Sequence, residues 1–466
     1  MGPRGALGAH PDRLMDAPSL SRALVRELLR RQSGGLPAHI LDKTRLHVAD
    51  AMGIGLGARP SALAARVMAA MAVGASGGAG GMLGTPQGAP PPQAAFVNAA
   101  LMHILDYDDI HDEARLHPTT VSLGSALAVA PLSKASGRRV LEAVALGNEL
   151  MCRLGAMLKP TGQGPGSDWF LTQLFGYLGA ALASGIVLGH DEDTLVSALG
   201  LAYMQAAGGK QAGFGTGSTA RAIYPAFAAM GGVQSGMVAA AGIAGPEQSL
   251  DGAGGLFRIY LGIEATPERR AFLLADSWHF EQVEIKLWPS CRLSHPYVAA
   301  ALSLREQLKQ AGKTLADAQR IEVGVNASAA KLCHPIADRR RPHTLQDAKY
   351  SIPWMVAFTL ARGTVDLATL NDAALSAQDI HALAERIEIV ENLPDRAGHP
   401  PAEIRMHCGD RVLQNPPVDS FAISPQQARS KFESCLAAAG EQSRAQALWA
   451  RLLALDAEAD LGFLYA

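Results

Sequence analysis

A mainly α-helical protein with a smaller α+β domain set into its C-terminal half is the fold class this sequence predicts. Three observations predict it. From Leu20 to about residue 276, apolar residues recur at helical spacing among many alanines and glycines. From Trp278, short stretches alternate apolar and polar residues with period two, the mark of half-buried strands. After Pro417 the helical spacing returns. The expected division is a disordered tail over 1–18, a helical domain assembled from 19–276 and 418–466, and an α+β domain over 277–417.

Taken in order, Leu24, Val25, Leu28 and Leu29 share one helical face, and Leu46, Ala49, Met52 and Leu56 another, so 20–56 reads as helical. The Gly- and Pro-rich stretch 74–92 reads as a loop. It is no phosphate cradle, because no Gly-Lys-Ser/Thr closes it. The isolated Gly312-Lys313-Thr314 lacks the upstream glycine that such a site needs. Helices are expected over 94–107, 118–133, 139–158, 171–189, 192–207 and 223–243, each ending near Gly or Pro. The run from Leu178 to Leu188 is apolar nearly all round, and Gly176 and Gly179 permit close helix contact. That pattern marks a buried helix rather than a membrane span. Strands are expected over 282–287, 320–325, 386–390 and 403–407, with helices over 296–311, 352–362 and 378–385 between them. Helices over 425–436 and 444–453 are expected to pack back on the first domain. A helical face buried in a homodimer is expected as well.

Composition narrows the function. The chain is 48% hydrophobic and 18% charged, enough to bury a large core. A net charge of −2 gives no sign of a nucleic-acid or membrane-surface partner. The cysteines Cys152, Cys291, Cys333, Cys408 and Cys435 are scattered and never spaced C-x-x-C. This argues for reduced thiols in a cytoplasm and against a structural zinc site or an iron–sulfur cluster. No apolar run follows the first arginines, so the start is not read as a signal peptide.

Ionisable groups concentrate in one place, from His103 to Asp112 and on to His117-Pro118-Thr119-Thr120. Placed on a helix, His103, Asp106 and Ile110 share a face while Asp108 and Asp112 point elsewhere. Four carboxylates within residues 106–112 should not all be buried together, since like charges raise one another's pKa. One or two are expected at a site, the rest paired or solvated. Pro118 suits a first helical position, which sets His117 beside the N-cap and leaves the amides of Thr119 and Thr120 as an anion-binding end. Such an end favours a neutral His117, the form a general base needs.

Leu105-Asp106-Tyr107-Asp108-Asp109 followed by His117-Pro118 resembles the signature of the MmgE/PrpD family. The resemblance extends to Lys286-Leu287-Trp288-Pro289-Ser290-Cys291-Arg292-Leu293-Ser294-His295-Pro296 and to Asp347-Ala348-Lys349-Tyr350-Ser351-Ile352-Pro353, in the family's order. It implies a large helical domain, a smaller α+β lid domain, a homodimer, no metal and no organic cofactor. It also implies a lyase of the 2-methylcitrate dehydratase type acting on a small di- or tricarboxylate, with isomerase, epimerase or decarboxylase chemistry as the alternatives. The family's active-site aspartate and histidine fall on Asp106 and His117, its lid lysine on Lys286, and its lid imidazole or thiol position on Cys291. Another family lysine falls on Arg221. Arg221, Arg292 and Lys349 would supply cations for carboxylates, together with Thr120 at the helix end and Tyr224.

In that reading His117 takes or relays a proton beside a carboxylate, Asp106 orients it or serves as partner acid, and Lys286 stabilises developing charge. This chain departs from the family at Asp168-Trp169-Phe170-Leu171-Thr172, where Phe170 stands in place of a histidine. Ile110 replaces a threonine and Tyr224 a histidine. These changes put methylcitrate and cis-aconitate in doubt as substrates and leave epimerisation or elimination on a less charged or bulkier one open. Two rival classes follow: a non-catalytic carboxylate-binding family member, favoured by Phe170, and a helical metal-dependent hydrolase using His111-Asp112.

Overall fold

At the centre of the molecule lies the helix Leu171–Leu188. The helices Pro118–Ser133, Gly137–Leu158, Glu192–Gln205 and Tyr224–Ala240 pack around it. It is apolar on every side because every side meets another helix. Close approach explains its glycines: a Cβ on Gly176 would sit 2.9 Å from the Cβ of Ala228, and one on Gly179 would sit 2.6 Å from the Met151 side chain. By length and apolarity alone this helix would cross a membrane, but 94% of it is buried inside the protein, which identifies a core helix.

The computed structural model describes residues 18–73, 77–160, 163–213, 217–395, 398–417 and 420–465. All but the last residue of the expected tail lies outside these. Buried apolar side chains fall into two large clusters. One draws on residues between 20 and 285 and again between 428 and 464, the other on residues between 297 and 408. The C-terminal helices Pro425–Ala438 and Ala445–Leu453 pack against Ala38–Ala58, as their apolar faces require.

The second cluster is built on a four-stranded sheet in the order Ile387–Glu391, Arg320–Val325, Glu403–Cys408, Arg411–Gln414. Arg320–Val325 runs parallel to Ile387–Glu391 and antiparallel to Glu403–Cys408. The register sets Ile321 opposite both Ile387 and Met406, so the three pack together in the core. The helix His295–Gln310 covers that sheet, and Ile352–Arg362 covers the helix.

The stretch 20–56 is helical as expected, in two helices, Leu20–Ser33 and Ala38–Ala58, separated at Gly34, Gly35 and Pro37. Several other expectations give way. The expected loop over 74–92 contains a small hairpin, Gly80–Met82 with Thr85–Ala89. The strand expected over 282–287 is only Val283–Glu284, and it pairs with Ile110–His111 rather than with the main sheet. Arg411–Gln414, joined to its neighbour through Gly409 at φ +67°, carries little apolar alternation and was not expected.

The largest correction concerns the helix expected over 94–107. It runs Pro91–His103 and stops. Beyond it the Asp106 amide donates to the His103 carbonyl at 2.8 Å, and Asp106 adopts φ +52°, a left-handed conformation a helix cannot contain. His103, Asp106 and Ile110 therefore do not share a helical face.

Candidate active site

Lysine side chains explain how Asp106 is held in that backbone. The ammonium of Lys349 donates to the carbonyl of Leu105 at 2.8 Å, that of Lys286 to the carbonyl of Asp106 at 3.0 Å, and that of Lys431 to the carbonyl of Tyr107 at 2.8 Å. Three consecutive carbonyls of the turn beyond the helix are thus each satisfied by a cation from a different part of the chain. Lys286 also pairs with Asp106 Oδ1 at 2.6 Å, and both side chains are buried. Asp106 Oδ2 is buried without a partner. Burial pushes this carboxyl up, but Lys286, His103 and His117 together hold it below the ordinary range.

Lys431 makes the same kind of contact from the C-terminal helix. It pairs with buried Asp50 at 2.8 Å and lies over the Tyr107 ring, 3.9 Å from its centroid. Burial raises Asp50 to about 6 against the pull of Lys431. The Tyr107 hydroxyl donates to the Leu287 carbonyl at 3.0 Å, tying the turn to the Lys286 segment.

Asp108 and Asp109 are not solvated. Asp108 Oδ2 lies 2.8 Å from His103 Nδ1 and accepts from Thr120 Oγ1 at 2.8 Å. Burial pushes the Asp108 carboxyl up, but the imidazoles of His103 and His117 and the Lys286 ammonium hold it well below the usual range. Asp109 Oδ2 accepts from the Thr119 hydroxyl and lies 2.7 Å from His47 Nδ1. These carboxylates coexist in the interior because each has its own donors.

The start of the helix Pro118–Ser133 is consequently occupied. His117 is its N-cap residue and Pro118 its first residue, as expected. The anion at its end is the chain's own Asp109, whose Oδ1 accepts from the Thr119 amide at 3.4 Å. Thr120 spends its hydroxyl on Asp108 and does not line the cavity described below, which corrects its expected role at an open anion site.

His117 does face a cavity. Its Nδ1 lies 2.7 Å from the Asp109 carbonyl and donates to it, which leaves Nε2 as the acceptor nitrogen. Its amide donates to Thr172 Oγ1 at 3.0 Å. Burial pushes the imidazole down, and the opposing pull of Asp108 does not make up for it, so His117 is neutral at pH 7. The expected neutral base is thus produced mainly by burial.

The cavity beside it measures about 130 Å³. Of the residues singled out in the sequence, Asp106, His117, Arg221, Tyr224, Cys291 and Arg292 line it, and Thr120, Lys286 and Lys349 do not. Lys286 and Lys349 stand behind the wall, on the Asp106 turn. Burial brings Lys349 down to about 8. Arg221 donates to the Gly213 carbonyl at 3.3 Å and stacks its guanidinium over Tyr350, 3.3 Å from the ring centroid. Burial keeps the Cys291 thiol protonated. Arg292 forms a forked pair with Asp112, at 2.9 and 2.6 Å, and also pairs with Glu284.

Phe170 and Tyr224 make an aromatic wall, their rings stacked at 4.3 Å with 18° between planes. The Tyr224 hydroxyl donates to Thr172 Oγ1 at 3.2 Å, and burial keeps the phenol protonated. His111 Nδ1 accepts from the Ala114 amide at 3.2 Å and its Nε2 is buried without a partner, while Asp112 pairs with Arg292, so the two are held by different neighbours. Among the described residues, His103, Asp108 and His117 bring ligand-type atoms within 4.8 Å of one another. His103 Nδ1 and His117 Nδ1 are taken by Asp108 and by the Asp109 carbonyl, while His103 Nε2 and Asp108 Oδ1 are buried without a partner.

Sequence reasoning missed Asp50, His47, Lys431, Arg115 and Lys210. The first three carried a signal. Asp50 interrupts the apolar run Val48 to Met52, His47 adjoins it, and Lys431 sits on the same helical face as Ala428, Phe432 and Cys435. A charge on a buried face needs a partner.

Residues 28–268 match the MmgE/PrpD N-terminal domain and residues 288–456 the MmgE/PrpD C-terminal domain. A cis-aconitate decarboxylase of Aspergillus terreus is 26% identical over 346 residues, 70% of this chain and 68% of its own. The cis-aconitate decarboxylase of Mus musculus is 25% identical over 331 residues, 68% of this chain and 64% of its own. A 2-methylcitrate dehydratase of Escherichia coli strain K12 is 31% identical over 118 residues, 25% of this chain and 24% of its own.

Proposed function

The chain belongs to the MmgE/PrpD family and is an enzyme of the lyase class, and we propose that it moves a proton at a carbon beside a carboxylate of a small di- or tricarboxylate. One observation carries the proposal. His117 is neutral, is oriented by the Asp109 carbonyl, and lines a cavity that also holds the Arg221 guanidinium. A proton beside a carboxylate is weakly acidic, and its removal places charge on the carboxylate oxygens. A positioned base contributes roughly 10²–10⁴-fold to such a step. A cation or N–H aimed at the developing charge contributes about 3–4 kcal/mol.

In the proposed step His117 Nε2 takes the proton and Arg221 holds the carboxylate that gains charge. Asp106 stays ionised through Lys286 and favours the imidazolium that forms, as an oriented carboxylate does. The departing hydroxide takes its proton from Tyr224, whose phenol burial keeps protonated. This chemistry needs no metal or organic cofactor. The reading includes a homodimer, which sedimentation of the purified protein tests.

Decarboxylation is the second reading. It is favoured by coverage: the relatives named cis-aconitate decarboxylase align with 66–76% of this chain, the dehydratases with 25%. There His117, once protonated, would deliver its proton to the carbon that loses CO2.

Incubation of the enzyme in D2O with a panel of small di- and tricarboxylates, followed by NMR, tests both readings. Deuterium entering beside a carboxylate, lost in His117→Asn, supports the proposal, and release of water or of CO2 separates the readings. Tight binding of a carboxylate with no exchange and no turnover across the panel would instead identify a binding protein.

A further inference from the structure

Two cations in the cavity wall belong to none of the sequence blocks that carry the family resemblance. Arg115 lies between the signature aspartates and His117, and Lys210 opens the short turn Lys210–Gly213. Both line the cavity, together with Arg221. The carboxylates in the same wall, Asp106 and Asp112, are already paired with Lys286 and Arg292. Among the described residues, Arg115, Lys210 and Arg221 have no ion pair with a carboxylate. Asp112 and Asp395 act on Arg115 only at a distance. The cavity therefore holds positive charge that its own side chains do not neutralise.

Resting on the carboxylate-lyase reading of this cavity, we propose that Arg115 and Lys210 form a second anion subsite, which binds a substrate carboxylate other than the one beside the reacting carbon. Arg115 is fixed in direction. Its backbone is left-handed at φ +52°, and its amide donates to the His111 carbonyl at 2.7 Å. The bridge between His111 and Leu116 closes the same turn, immediately before His117. One guanidinium nitrogen donates to Ser328 Oγ at 3.3 Å, while the buried Nε has no partner. A guanidinium held this way is ready for a planar anion.

Lys210 is fixed by different neighbours. Its amide donates to the Asp168 carbonyl at 2.8 Å. Its stem and the Phe170 ring flank Gly213 closely enough that a Cβ there would lie 3.1 Å from Lys210 Cγ and 3.2 Å from Phe170 Cζ. The corner where Phe170 takes the place of a family histidine thus holds an ammonium. The family's imidazole is absent there, and a cation that binds anions is present. Burial, and then the charges of Arg115, Arg221 and Lys331, bring the Lys210 ammonium down to about 8. An anion between the cations removes that repulsion, which is the physical gain on binding.

Calorimetric titration with two unreactive probes tests the subsite. Tricarballylate carries three carboxylates on the chain that glutarate shares with two. Wild-type protein is expected to bind tricarballylate roughly tenfold to a hundredfold tighter than glutarate, the range for a hydrogen-bonded charge. In Lys210→Met and Arg115→Gln that ratio should fall to about threefold or less, with glutarate affinity kept, and Lys210→Arg should restore most of it. A wild-type ratio near one, or variants that keep the wild-type ratio, would overturn the subsite. His117→Asn serves as the separating control. It should keep the binding ratio and lose deuterium exchange, so a failure of the proposed chemistry is told apart from a failure of the subsite.

Discussion

Replacing Lys286 with methionine is the sharpest perturbation available at this site. The methionine fills most of the space but removes an ammonium that is fully buried, 2.6 Å from Asp106 Oδ1 and 3.0 Å from the Asp106 carbonyl. Breaking one side of a buried pair costs about 3–5 kcal/mol, because the remaining charge has no solvent and no partner. Asp106 has no other donor to turn to, since its Oδ2 is already unpartnered. Lys349 is engaged with the Leu105 carbonyl. The sign with pH follows. In the native protein the Asp106 carboxyl lies below its ordinary value, so its contribution to stability is present above the unfolded carboxylate pKa and is lost as pH falls through the folded value. Without Lys286, burial dominates and the carboxyl rises. The variant should then be less unstable in acid and lose stability as pH climbs from about 4 toward neutrality. Urea denaturation of both proteins between pH 5 and 8, followed by near-UV circular dichroism, measures this. Lys286→Met with Asp106→Asn should recover a large part of the loss, since removing both partners leaves no buried charge. A single variant within about 1 kcal/mol of wild type, and flat with pH, would refute the idea that the pair is the electrostatic anchor of the turn.

Three further outcomes follow from neighbouring contacts. Asp50 is raised to about 6 in the folded protein, so its favourable contribution is complete below the unfolded value and is lost as pH rises through 6. Asp50→Asn should flatten the stability profile between about pH 4 and 6, seen in denaturation midpoints. His47→Leu takes the imidazole from Asp109, leaving its carboxylate to Thr119. It should cost about 1–3 kcal/mol and slow deuterium exchange more than it weakens binding, because the Asp109 carbonyl orients His117. Phe170→Leu removes the ring stacked on Tyr224 and should cost about 0.5–1.5 kcal/mol beyond lost area, measurable as a lowered Tm.

The sequence by itself determined the two kinds of element and the order in which they come. Helical periodicity located the core helices to within a few residues, because a helix apolar on one or all sides has few other ways to hide that surface. Period-two alternation located three of the four main strands, and the fourth, Arg411–Gln414, was missed because an exposed edge strand imposes little pattern. The density of ionisable groups in an apolar chain also singled out the stretch from His103 to Thr120, and within it the family resemblance pointed to Asp106 and His117.

Only the tertiary structure decided what those groups do. Local spacing suggested a continuing helix through Asp106, but lysines from residues 286, 349 and 431 satisfy the carbonyls of the turn that replaces it, and no local pattern encodes contacts that distant. The same holds for the carboxylates. Asp108 and Asp109 can be buried because His103, His47, Thr119 and Thr120 converge on them from separate segments. It also decided which cations meet the cavity. Lys286 and Lys349 turned out to hold the backbone, while Arg115 and Lys210, undistinguished in the sequence, reach the open space. A charge's role depends on its nearest partner, and in a fold of this size that partner is most often far away in the chain.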